Sequence, residues 1–256
     1  MSIHSTAVIH EGAVIGADCE IGPYCVIGEH VALGGGCKLH SHVILDGHTE
    51  IGDENQIYPF ASVGLRSQDL KWDGGTTWTR IGHRNTIREY TTIHSATGDG
   101  DATVIGDDNN FLAYSHVAHD CHIGNHVIMS NVGTLAGHVI VEDRAIIGGL
   151  AAIHQFCRVG TMAFIGGCSK VVQDAPPYMI IDGNPAGTRT LNKEGLKRNS
   201  VSEESQQALK QAYRMIFRGE LSVKNAAEKA GAEFGGCTEV GNLVEFIRAS
   251  ERGIAC

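Results

Sequence analysis

The stretch Tyr114-Ser115-His116-Val117-Ala118-His119-Asp120-Cys121-His122-Ile123-Gly124-Asn125-His126-Val127-Ile128-Met129 decides the fold. Val117, Ile123 and Met129 stand six residues apart, and the same phase extends both ways. Toward the N-terminus it passes Phe111 and Ile105. Across one interruption it resumes at Ile93, Ile87 and Ile81, and across another it runs from Val63 back to Ile3. Toward the C-terminus it continues through Leu135, Val141, Ile147, Ile153, Val159 and Ile165 to Val171. A period of six fits neither an amphipathic helix nor an alternating strand. It marks a hexapeptide β-helix, in which each short strand turns a corner and stacks on the coil before it. One coil buries little, so stability must come from many stacked neighbours.

In each unit the aliphatic residue fills the interior, and a small residue four places on packs beside it, as with Ile15 and Cys19. The Gly that often follows the aliphatic residue suits a corner where the backbone turns tightly. Residues 65–79 (LRSQDLKWDGGTTWT) and 95–103 (SATGDGDAT) lose the pattern but keep its register. They read as loops pushed out from a regular wall, and long loops on rigid scaffolds commonly carry function. The repeat stops near Val172, and Pro176-Pro177 and Gly183-Asn184-Pro185 predict a turn-rich exit. Beyond residue 190 the spacing turns helical. Leu209, Ala212, Tyr213, Ile216 and Phe217 mark one helix, with Ser200 and Glu203 as its capping box. Val223, Ala226, Ala227, Ala230 and Phe234 mark a second, and Val240, Leu243, Val244 and Ile247 a third. The expectation is a mostly β chain: a parallel β-helix over residues 1–190 and an α-helical domain over 191–256.

The chain has 256 residues and a net charge of −9. Residues 1–192 hold ten Lys/Arg against twenty Asp/Glu, whereas residues 193–256 hold ten against nine. That is no nucleic-acid footprint; an anionic partner would be met locally, by the helical part. No apolar run is long enough to span a membrane. The repeat begins at Ile3 and leaves no room for a signal peptide, which predicts a cytoplasmic protein. Cys19, Cys25, Cys37, Cys121 and Cys157 occupy the small inward slot, where a thiol acts as a small hydrophobe. Cys168, Cys237 and Cys256 lie outside it without metal-type spacing, so reduced cysteines are expected.

All fourteen histidines lie between His4 and His154. If three hexapeptides make one coil, Gly137 stacks on His119 and Phe156 on His138. His119, His138 and His154 then line one wall at successive levels. Two chemistries are open to such a wall. Zinc needs three ligands converging at about 2 Å, which the spacing does not enforce. A histidine beside a carboxylate, as in His119-Asp120, suits a general base. A plain histidine-rich surface is the third reading.

The segments SHVILDGHTEIG, IREYTTIH, HVAHDC, TLAGHV, AIIGGLAAIHQF, QDAPPY and NKEGLKR, in that order, go further. Over nearly its whole length the chain resembles the acyl-carrier-protein-dependent UDP-N-acetylglucosamine 3-O-acyltransferases, which open lipid A biosynthesis. The resemblance implies a left-handed β-helix and a homotrimer with active sites in clefts between subunits. It implies transfer of a 3-hydroxyacyl chain from acyl carrier protein to the sugar 3-position. It calls for no metal and no cofactor, the donor riding on the carrier's phosphopantetheine. His119 matches the family's general base, Asp120 its orienting carboxylate, and Gly137 the backbone N–H donor to the oxyanion. Asp69 and Lys71, with Gln68 beside them, match nucleotide-sugar contacts. His116, His138, His154 and Gln155 match cleft residues around sugar and acyl chain. Asn192, Glu194 and Arg198 match groups holding the uridine diphosphate, and Gly167 matches a limit on acyl length. Pro185 stands where familiar members carry His, and Asn199 where some carry a second Arg. A coenzyme-A-dependent hexapeptide acetyltransferase would leave EGLKR and the helical part unexplained. A γ-type zinc carbonic anhydrase would need histidines from neighbouring subunits around the metal.

Overall fold

The structure, a computed structural model, describes residues 1–256. Its repeat unit is an eighteen-residue coil: Phe111 pairs with Met129, Met129 with Ile147 and Ile147 with Ile165. Each coil contributes one strand, usually of two residues, to each of three walls. The first wall has eleven strands, the second nine and the third eight, and together they form a left-handed parallel β-helix. The chain runs from first to second to third wall in every coil. The aliphatic phase points inward, from Ile21 through Phe111 and Ile147 to Val171, all buried. The five cysteines of the small slot are buried, and all eight cysteines are free. Where that slot holds Asn55, Asn85 and Asn109, the buried amides form a ladder. Asn55 Oδ1 accepts from Asn85 N–H at 2.9 Å, Asn85 Oδ1 from Asn109 N–H at 2.9 Å, and Asn109 Oδ1 from Val127 N–H at 2.7 Å. A buried polar group is tolerated because it is satisfied in this way.

Glycine's role in the repeat differs from the sequence expectation. The left-handed corner residue is the third after the aliphatic one, and it is usually not glycine: Tyr90 has φ 58°, Asp120 60° and His138 58°. The cost of that conformation is offset by a bond between coils, as when His138 N–H donates to His119 C=O at 3.0 Å. The glycine directly after the aliphatic residue serves close stacking instead. A Cβ on Gly52 would lie 2.7 Å from the Gly82 carbonyl oxygen of the next coil.

Both insertions leave at one edge, between the second and third walls. The strands reach further into them than the repeat pattern suggests. Leu65 closes Ser62–Leu65, Trp78 and Thr79 open Trp78–Ile81, and Ala102 and Thr103 open Ala102–Ile105. The loops are therefore 66–77 and 95–101, and they brace each other. Thr76 N–H donates to Asp99 Oδ1 at 2.7 Å, and the Ser67 and Thr97 hydroxyls meet at 2.7 Å.

The turn-rich exit is part of the solenoid. Met179–Gly183 pairs parallel with Phe164–Ile165 and folds back as a hairpin with Ala186–Leu191. A short helix that the spacing did not reveal, Lys193–Arg198 (α1), follows. Three more complete the cap: Glu203–Arg218 (α2), Val223–Phe234 (α3) and Thr238–Arg248 (α4). The cap of α2 is Ser202, whose hydroxyl accepts from Ser205 N–H at 3.1 Å; Ser200 lies outside it with φ 56°.

The stacking role of the repeat glycines separates experimentally from a glycine that packs against nothing. Gly52→Ala should destabilise the fold by about 1–3 kcal/mol, as overpacking does. Gly241→Ala, inside α4 with nothing within 4 Å of its Cβ position, should stabilise it by about 0.5–1 kcal/mol. Denaturant midpoints read both, and equal effects would contradict the stacking role.

Candidate active site

The edge that carries both loops also carries the histidine cluster. His116 opens a second-wall strand, His119 and Asp120 form the corner after it, and Gly137 and His138 form the same corner one coil on. His119 is braced on three sides. Its Nδ1 lies 2.7 Å from Asp120 Oδ2, its Nε2 lies 3.9 Å from Asp69 Oδ2, and the His138 ring meets it edge-on at 5.2 Å between centroids. Beneath it, a Cβ on Gly137 would lie 2.5 Å from Nε2. Glycine is thus required at 137 by the imidazole stacked on it. The Gly137 N–H makes no hydrogen bond within the chain. The side chains of His119 and Asp120 are only 13% and 9% exposed, so their contact is shielded from bulk water.

Asp120 is held by the second loop. Its carboxylate accepts from Thr97 N–H at 3.2 Å, and its own N–H donates to the Thr103 hydroxyl at 2.9 Å. Neither threonine stands out in the sequence, because each acts through a neighbouring coil. Asp69 belongs to the first loop, where its Oδ1 accepts from Lys71 N–H at 2.9 Å and fixes the turn. Its other oxygen thereby faces His119. Beside it lies a cleft of about 950 Å³ lined by Asp46, Arg66, Gln68, Asp69, Trp72 and His94. His94 and Trp72 each present a buried nitrogen without a partner. Neither was among the residues singled out from sequence, since an apolar-phase count does not see a side chain that a loop buries.

The remaining candidates are more dispersed. Gln68 and Lys71 are exposed on the first loop. His154 and Gln155 sit on the same edge two coils above His119, exposed and without contact to it; His138 is the level that joins the cluster. Gly167 lies at the opposite edge of the second wall. Glu194 and Arg198 form an exposed i,i+4 pair on α1 at 2.9 Å. Asn192 is the N-cap of α1. Its Oδ1 accepts from Gly195 N–H at 3.0 Å, its Nδ2 donates to Met162 C=O at 2.8 Å, and it is buried. Within one chain no hydrogen bond joins Gly167, Glu194 or Arg198 to His119.

His119, Asp120 and His138 place one ligand atom each within 4.8 Å of one another, the one such group that could hold a metal ion. The same atoms already serve an internal pairing: Asp120 Oδ2 is 2.7 Å from His119 Nδ1 and 3.6 Å from His138 Nε2. A carboxylate that accepts a proton-bearing Nδ1 leaves the imidazole lone pair on Nε2, facing the cleft. That arrangement is chemically suited to a general base.

The rings behind it are held neutral. Burial pushes His116 down to about 4, with His94 and His119 adding to the effect, and burial lowers His94 too. The His116 Nδ1 shares a hydrogen bond of 2.7 Å with the Thr92 hydroxyl. Between about 4 and the ordinary 6.5, such a ring binds fewer protons folded than unfolded. Its contribution to stability is therefore present above 6.5 and lost as pH falls through that window. The denaturation midpoint should fall from pH 6.5 toward 4, and the fall should be shallower in His116→Gln. Identical slopes in the two proteins would show that His116 titrates as a solvated histidine.

Known proteins match both parts of the molecule. Residues 174–255 fit the model of domain 2 of UDP N-acetylglucosamine O-acyltransferase, and residues 1–35 fit the bacterial transferase hexapeptide (six repeats) model. LpxA from Acinetobacter baumannii is 43% identical, with 99% of both chains covered and a TM-score of 0.96. The UDP-N-acetylglucosamine O-acyltransferase of Moraxella catarrhalis is 39% identical with 100% of both chains covered and a TM-score of 0.95. The UDP-N-acetylglucosamine acyltransferase of Arabidopsis is 39% identical over 99% of this chain and 100% of its own, with a TM-score of 0.88. At that identity over the full length, with the repeat and the helical domain both matched, the chain belongs to the UDP-N-acetylglucosamine O-acyltransferase family.

Proposed function

We propose that this chain transfers a 3-hydroxyacyl group from acyl carrier protein to the 3-hydroxyl of UDP-N-acetylglucosamine, the entry to lipid A biosynthesis, as a cytoplasmic homotrimer. The observation that carries the mechanism is the 2.7 Å contact between His119 Nδ1 and Asp120. It sets the tautomer, so that the Nε2 lone pair takes the proton of the sugar hydroxyl as that oxygen attacks the thioester carbonyl. Charge then collects on the carbonyl oxygen of the tetrahedral intermediate. The N–H of Gly137, which makes no hydrogen bond within the chain, is the donor this reading assigns to that charge. Collapse breaks the C–S bond, and the departing phosphopantetheine thiolate takes the proton back from the imidazolium. Asp69, 3.9 Å from Nε2, stabilises the imidazolium while it exists.

A neighbouring copy completes the cleft in this reading. Leu70 at the tip of the first loop is fully exposed, and the groups matched to the diphosphate and the acyl end stand away from His119 within one chain. Closing the cleft with a second surface brings Gln68, Lys71, His116, His138, His154 and Gln155 around the sugar and acyl chain. Glu194 and Arg198 then take the diphosphate, for which the planar Arg fork makes paired hydrogen bonds. Asn192 acts by capping the helix that carries them. The carrier meets the cap, where Lys210, Arg214 and Lys229 line one hollow between α2 and α3.

His119→Ala should lose about two or more powers of ten in turnover, as removal of a general base does, with the thermal midpoint close to that of the parent. Retained turnover that zinc stripping abolishes would replace the base with a metalloenzyme reading in which His119 is dispensable. Chain length is read at Gly167. A Cβ there meets only the Gly149 carbonyl oxygen, at 3.3 Å, so a side chain at 167 asks that backbone to give by a few tenths of an ångström. Each buried methylene contributes about 0.8 kcal/mol, roughly fourfold per carbon. The parent should prefer long 3-hydroxyacyl carriers, and Gly167→Met should move the preference toward shorter ones. Equal loss across a panel of acyl carriers would remove Gly167 from the acyl groove.

A further inference from the structure

The C-terminal segment is sewn onto the last coil. Ile254 forms a parallel bridge with Asp174. Asp174 N–H donates to Gly253 C=O at 2.8 Å, and Ala255 N–H donates to Asp174 C=O at 2.9 Å. The Thr188 hydroxyl donates to Ala255 C=O at 2.6 Å, and the Ser250 hydroxyl to Asp174 Oδ2 at 2.7 Å. Asp174, Ile254 and Ala255 are buried. Anchors on both sides therefore fix the backbone of Arg252, while its side chain stays exposed. From there Nη2 reaches two atoms on the cleft-bearing edge, the Val172 carbonyl oxygen at 3.3 Å and His154 Nδ1 at 3.2 Å.

The second contact is chemically restrictive. His154 Nδ1 also lies 3.1 Å from the Gln155 carbonyl oxygen. A carbonyl only accepts, so that bond needs a proton on Nδ1. A guanidinium only donates, so the Arg252 bond needs a lone pair there. The two bonds exclude each other. With Arg252 in place, Nδ1 keeps its lone pair, the proton sits on Nε2, and the ring offers a donor. Without Arg252, the Gln155 carbonyl draws the proton to Nδ1, and Nε2 becomes an acceptor.

We propose that Arg252 is a positioning residue that fixes His154 as an Nε2–H donor to a carbonyl oxygen of the bound substrate. The proposal rests on the reading that His154 lines the substrate cleft. Its test uses the full chain with Arg252→Met, which keeps the stem and removes the donors, Arg252→Lys, which keeps a donor, and His154→Gln. Nitrogen-15 imidazole spectra read the tautomer. The parent and Arg252→Lys should show His154 protonated at Nε2, and Arg252→Met should show it protonated at Nδ1. Arg252→Met should also raise KM for the nucleotide sugar about tenfold, a change of roughly 1.4 kcal/mol, with a smaller effect on turnover and an unchanged thermal midpoint. A parent already protonated at Nδ1, or an Arg252→Met spectrum like the parent's, overturns the proposal. So does a lowered midpoint with the tautomer kept, which would leave Arg252 a tail anchor only. If the tautomer moves but neither Arg252→Met nor His154→Gln changes the kinetics, it is the placement of His154 at the substrate that fails.

Discussion

Every feature of this molecule depends on one constraint, the stacking of each eighteen-residue coil on the next through backbone hydrogen bonds. Parallel strands lie about 4.8 Å apart, so a residue sits directly over its equivalent in the coil below. That closeness forbids a side chain wherever backbones face each other, which is why Gly52 lies against Gly82. It also tolerates left-handed corner residues such as Asp120 and His138, because each returns a hydrogen bond to the coil beneath. The same closeness lays an imidazole flat on Gly137. A candidate site with little slack at this corner follows from the spacing of the scaffold.

Departures from regularity are confined to one edge. Both insertions leave between the second and third walls, and their lengths preserve the stacking. Ile57 pairs with Ile87 and Ile87 with Phe111, as if nothing had been inserted. The loops rise beside the corner that carries His119. One supplies Asp69 toward Nε2; the other supplies Thr97 to Asp120, and the strand that follows it supplies Thr103. The His119–Asp120 pair is thus held by the neighbouring coils and by two loops.

The helical cap adds a second level of control. It closes the apolar end of the solenoid, gathers half of the basic residues, and sends its last residues back over the final coil. The exposed ring of His154 is reached by Arg252 from a segment ninety-eight residues later. The cap therefore shapes the edge that carries the histidine cluster as well as ending the repeat.

The sequence alone determined the period, the inward face, the register across both gaps and the helical character of the last quarter. These follow from side-chain spacing, which local geometry translates directly into burial. His119-Asp120 was legible because the pair is adjacent in the chain and Gly137 falls eighteen residues on. The true loop limits were not legible, because Trp78, Thr79, Ala102 and Thr103 are strand residues by virtue of their neighbours in other coils. The helix cap at Ser202 in place of Ser200, the capping role of Asn192 and the stacking role of the repeat glycines likewise depend on what lies across from them. Only the tertiary structure decided that Thr97 and Thr103 hold Asp120, that His94 is buried beneath the first loop, and that Arg252 reaches His154. Each of these contacts joins residues far apart in the chain, and no local pattern records a hydrogen bond made between coils.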